Sequence, residues 1–135
     1  MKKHALTTAG LLCGAAAFAL IGLPEQLSAR EGSVSFEKDV LPVLERSCGE
    51  CHSAKENFSN LRLDTAAAIL KGGDLGKVLE PGNPDESSLY VRVSLPQDDL
   101  DFMPVEGEPL NEDEVETLRQ WIEQGADFGG WTGEG

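Results

Sequence analysis

The stretch RSCGECHSAK, residues 46–55, puts Cys48, Cys51 and His52 within five consecutive positions. Two thiols and an imidazole so placed can make a tight disulfide, part of a zinc site, a redox-active dithiol or the attachment point of a covalent haem. A structural zinc ion takes four ligands, and past residue 29 the chain has no Cys or His beyond these three. A thioredoxin-like dithiol expects a βαβ setting, which is not legible here. A disulfide across only Gly49 and Glu50 closes so small a loop that its entropic benefit is slight. Cys-x-x-Cys-His is the signature of c-type haem attachment. Each thiol adds to one vinyl group, two intervening residues span the two vinyls, and the next residue falls under the iron. Cys48 and Cys51 are therefore the candidate thioether links, and His52 the candidate proximal iron ligand.

A second axial ligand follows by elimination. The chain's other histidine is His4 and its other methionine is Met1, and both lie in an N-terminal leader. Met103 is the thioether that is left. It stands before Pro104 in an acidic, turn-rich loop rather than on a helical stripe, which argues against a mere core filler. Met103 is the candidate distal ligand.

The leader is read from "MKKH", a basic start, then the apolar run "ALTTAGLLCGAAAFALIGL", then "PEQLSA". This order predicts a signal peptide over residues 1–29, cut after Ala29, with an uncleaved membrane anchor as the alternative. Cys13 is an apolar residue of that run, without the preceding small residue of a lipid-attachment site. Export places the thiols in an oxidising compartment, the periplasm, where a reduced zinc site or free dithiol is disfavoured. The net charge is −13. Nucleic acid and anionic lipid are poor partners for such a chain, whereas steering toward a basic protein surface is favoured.

The elements that must position these residues are short. Residues 30–35 read as a linker. In "FEKDVLPVLERSC" Phe36, Val40, Val43 and Leu44 share one helical face and deliver Cys48 at the helix end, with Pro42 either in an early turn or at a kink. "LRLDTAAAIL" predicts a helix capped by Asp64 or Thr65 and stopped by "KGG". "EPGNPDESS" marks turns, and "ESSLYVRVSL" a short helix capped by Asp85 or a serine. "NEDEVETLRQWIEQGA" predicts the clearest helix, capped by Asn111 and ended by Gly125, with Val115, Leu118 and Ile122 inward and Trp121 beside them. Long loops between short helices in a small domain suggest that a buried cofactor supplies part of the core.

From about Phe36 to Phe128 the chain resembles the small planctomycete-type cytochrome c domain, within the class I cytochrome c-like fold. The matching stretches are "FEKDVLPVLERSCGECHS", "LRLDT", "KGG", "PGNPDESSLYVRV", "MP" and "LNEDEVETLRQWIEQGADF", in the family's order. The resemblance implies an all-α fold of three to five short helices wrapped around one covalently attached haem c per chain, spanning 36–128, with 129–135 as a flexible tail. It carries thioether attachment onto Cys48 and Cys51, proximal ligation onto His52 and distal ligation onto Met103. "MPV" departs from the family, which often shows a second proline there. The resemblance further implies that Phe36, Val40 and Leu44 pack against Leu118, Trp121 and Ile122. It places Leu61, Leu63, Ile69, Leu70 and Leu89 along the haem pocket. Arg62, Arg92 and Tyr90 are candidates for propionate contacts, although a surface role is the commoner fate of such residues. Trp121 is expected in the core rather than on a propionate.

With both axial positions filled, the expected activity is single-electron transfer by an exported monohaem cytochrome and not enzymatic turnover. The alternative is a haem enzyme or gas sensor with an open sixth position. The mature chain has no second histidine for acid–base work there.

Overall fold

The computed structural model describes residues 32–133. The leader, with Cys13 and the candidate cleavage site, lies outside the described residues, as do the first two linker residues and the last two of the tail. Phe36–Val40 form one π-helical turn that runs into α1 (Leu41–Ser47). Pro42 accounts for the wide turn. It has no N–H to give and its ring crowds the carbonyl four residues back. The Leu41 amide donates instead to Phe36 O, five residues back.

Helix α2 (Ala66–Lys71) starts where the Thr65 hydroxyl accepts the Ala68 amide at 3.1 Å, so Thr65 rather than Asp64 is its cap. Helix α3 (Ser88–Ser94) follows a 3-10 turn at Pro84–Glu86. Ser87 sits at its N-cap but its side chain does not cap. The hydroxyl turns back into the preceding loop, accepting from Glu80 N at 2.9 Å and donating to Asn83 O at 2.9 Å. Ser87 is fully buried, so its hydroxyl anchors the largely exposed "EPGNPDESS" turns to the body of the domain. Helix α4 (Glu112–Glu123) opens with a capping box, in which Asn111 Oδ1 accepts from Glu114 N and Glu114 Oε2 accepts from Asn111 N, both at 3.0 Å. It closes with a double lock: Gly125 N donates to Ile122 O and Ala126 N to Trp121 O, each at 2.9 Å. Gly125 has φ of 104°, which a side chain would oppose. The described residues are helical and contain no strand, in agreement with the all-α expectation. None of their helices is long and apolar enough to cross a membrane.

One core joins these pieces. Phe36, Val40 and Leu44 are buried with Leu118, Trp121 and Ile122, as the resemblance implied. Phe36 lies at the centre of an aromatic cluster, its ring 5.1 Å from Trp121, 4.8 Å from Phe128 and 4.7 Å from Trp131. The Trp121 indole N–H donates to Asp127 O at 2.8 Å, so it is committed to the core. The packing continues past Phe128. Trp131 stacks on Phe128 and meets Phe36 at a tilt of 43°, and Ala66 N donates to Thr132 O at 3.1 Å. Within residues 129–133, expected to trail as a tail, Trp131 is half-buried against the core while its neighbours stay exposed. A forked ion pair from Arg46 to Glu114, 2.7 and 2.9 Å, ties the end of α1 to the first turn of α4.

Candidate functional site

Helix α1 hands its geometry to the motif. Cys48 N donates to Leu44 O, and His52 N and Cys51 N both donate to Cys48 O, at 2.9, 2.9 and 3.2 Å. Helical turns therefore hold the three side chains in fixed relation. Gly49 is needed there, since a Cβ would stand 2.6 Å from Glu45 O. Both cysteines are unpaired and half-buried.

His52 is oriented from behind. Its Nδ1 lies 3.2 Å from Leu61 O, and Leu63 N donates to His52 O at 2.8 Å. A carbonyl can only accept, so Nδ1 carries the proton and Nε2 keeps its lone pair. That is the tautomer a metal ligand requires, and the same bond fixes the ring's orientation.

Cys48, His52, Leu61, Leu63, Leu89 and Met103 line a single cavity of about 120 Å³ that opens to solvent. Val78 from the loop before the Pro84–Glu86 turn, Arg92 and Val93 of α3, and residues 73–76 also line it. The mostly apolar wall suits an apolar ligand held at a few polar points. Burial pushes the Cys48 thiol up to about 11, against a weak pull from the Arg46 charge. A thiol so placed is protonated at neutral pH, opposite to the lowered value of a redox-active dithiol. Among the described residues no three His, Cys, Asp or Glu side chains gather as a metal cage, so the donor set does not suit a free ion. The Cys48 thiol and the His52 imidazole face the apolar cavity with a thioether in the same wall, while Cys51, one helical turn on, is half-buried outside its lining; this donor set suits a covalently held haem.

Met103 reaches the wall from the loop after α3. Its amide donates to Arg92 O at 3.1 Å. Arg92 also lines the cavity, and its Nη1 lies 3.2 Å from both the carbonyl and the carboxylate of Asp101. Arg62 is instead spent on Asp64, at 2.9 and 3.1 Å. Tyr90 packs against the core and does not line the cavity. Two expected pocket residues fall elsewhere: Ile69 is fully buried in the core and Leu70 is 47 % exposed. The cause is helical geometry, because in α2 neighbouring positions are about 100° apart and cannot share one face. Val78, Val93 and the Leu61 carbonyl were not found from sequence. Val78 and Val93 look like any core valine, and a backbone acceptor leaves no residue-type signal.

The planctomycete cytochrome C family model matches residues 48–107, from the first thiol of the motif to just past Met103. No curated protein and no solved structure matches the chain.

Proposed function

We propose, from a chain whose residues 48–107 carry this planctomycete cytochrome C resemblance, that the protein is an exported electron carrier with one covalently attached haem. The helices would wrap the haem as in the cytochrome c-like fold. One observation carries the reading: Cys48, His52 and Met103 line a single apolar cavity although His52 and Met103 are 51 positions apart. Cys48 and Cys51 would hold the haem as thioethers, His52 would ligate through the Nε2 that its Leu61 contact leaves free, and Met103 would supply the second protein ligand. When bound, the haem supplies one-electron exchange between Fe(II) and Fe(III), and a thioether ligand favours the reduced state. Leu61, Leu63, Leu89 and Val93 give the cavity an apolar wall, which would raise the cost of the extra ferric charge. The acidic surface steers a basic redox partner in the periplasm, through a small and transient contact.

The test is the visible spectrum of the reduced protein, matured with a haem-attachment system, before and after carbon monoxide. Sharp reduced bands that ignore carbon monoxide support the closed carrier. Bands that shift mean an open sixth position and favour a ligand-binding enzyme or sensor. A protein without colour removes haem from the account.

A further inference from the structure

We infer that Arg92 is the positioning residue that holds Met103 in the cavity wall. Helix α3 ends at Ser94, so the carbonyls of its last turn have no partner within the helix. The Met103 amide takes the Arg92 carbonyl, at 3.1 Å. The Arg92 side chain runs the same way. Its Nη1 is 3.2 Å from Asp101 O and 3.2 Å from Asp101 Oδ1. One residue thus grips the loop on both sides of Phe102, with its main chain at Met103 and its guanidinium at Asp101.

The loop has little else to hold it. Residues 95–110 include Asp98, Asp99, Asp101, Glu106 and Glu108 and no Lys or Arg, so like charges push the segment outward. From Pro96 to Glu108 only Phe102, Met103 and Pro104 are even partly buried. Leu100 and Val105, the apolar residues flanking the gripped segment, are 101 % and 75 % exposed and contribute no packing. The remaining loop bonds are local turns: Asp99 N to Pro96 O, Phe102 N to Asp99 O and Asp101 N to Asp99 Oδ1. They shape the loop without fastening it to α3. The Arg92 cation supplies that fastening and offsets part of the acidic charge.

The consequence for the iron rests on the His52/Met103 reading above, whereas the grip on the loop does not. The grip sets the fraction of molecules with Met103 withdrawn. An added ligand binds only that fraction, so its apparent affinity rises in proportion. The experiment compares ferric holoprotein, Arg92→Gln, Met103→Ala and a control, Arg62→Gln, which loses a comparable ion pair on the His52 side. Imidazole affinity is read from the visible spectrum, and hydrogen exchange of the Met103 amide is read separately. Arg92→Gln is expected to raise imidazole affinity about tenfold, the scale of losing two bonds from a charged donor, and to speed Met103 amide exchange by a similar factor. Arg62→Gln is expected to change neither. Unchanged exchange at Met103 in Arg92→Gln overturns the inference. If Met103→Ala leaves imidazole affinity at the parent value, Met103 is not the ligand, and the exchange rate still decides the grip. Should Arg92→Gln not fold, Asp101→Asn serves: a rise of about twofold in Met103 exchange is expected from the lost charge pair, and no rise overturns the inference.

Discussion

Phe36→Leu separates what holds the domain together from what tunes the cavity. Phe36 is 2 % exposed and its ring meets three others at 5.1, 4.8 and 4.7 Å. Leucine keeps the site apolar and roughly filled, so the main loss is the ring contacts. Each aromatic pair is worth about 0.5–1.5 kcal/mol beyond the area it buries. The three pairs share partners and do not add in full. Trp121–Phe128 at 5.3 Å and Phe128–Trp131 at 6.3 Å also survive the change. The expected cost is therefore about 2 kcal/mol, against about 3–5 kcal/mol for Phe36→Ala, which adds a cavity. For a domain of this size, 2 kcal/mol lowers the melting midpoint by about 8–16 °C. None of Phe36, Trp121, Phe128 and Trp131 lines the cavity, so the reduced spectrum and its response to carbon monoxide are expected to stay at the parent's. Guanidinium melts followed by tryptophan fluorescence and by the haem band, each on holoprotein, measure the loss. A cost below about 0.5 kcal/mol refutes the claim that this cluster joins the two ends of the domain. A new sensitivity to carbon monoxide refutes its independence from the cavity.

Met103→Ala is expected to leave haem attached, lower the reduction potential and admit carbon monoxide; a parent-like potential by redox titration counts against Met103 as ligand. Asn111→Ala removes one half of the α4 capping box and is expected to cost about 1 kcal/mol in a denaturant melt, with little change in the haem bands. Acid will destabilise the fold through paired carboxylates. Hydrogen bonds from Arg119 and Gln120 push Glu116 down to about 2, Arg46 holds Glu114 low, and Arg62 and the Ala54 amide hold Asp64 low. Their folded values lie below their unfolded ones, so their contribution is full above the ordinary carboxylate range near pH 4. It is lost as pH falls through the folded values. Melts from pH 6 to pH 2 should decline mainly below about pH 4.5, and Glu116→Gln should flatten the lowest part of that decline.

Local signals were legible because they are local. The Cys-x-x-Cys-His signature is a matter of spacing along five residues, and Met103, named as a candidate by elimination, lines the same cavity as Cys48 and His52. Thr65, Asn111 and Gly125 end their helices through bonds to atoms within five residues, which sequence spacing encodes. By contrast, Pro42 left two alternatives open. The outcome is a π turn running straight into α1, with Phe36 at its start buried against residues about ninety positions away.

From the sequence alone came the candidate attachment residues, the all-helical class and the resemblance that orders the elements. Only the tertiary structure decided that the Leu61 carbonyl aims His52, that Ile69 and Leu70 leave the cavity wall, and that Trp121 spends its N–H on Asp127. It also decided that Trp131 binds the tail and that Arg92 grips the Met103 loop. The physical reason is common to these cases. Periodicity and capping are properties of neighbouring residues, whereas a backbone acceptor, a helix's rotation and an ion pair to a loop depend on where distant segments come to rest.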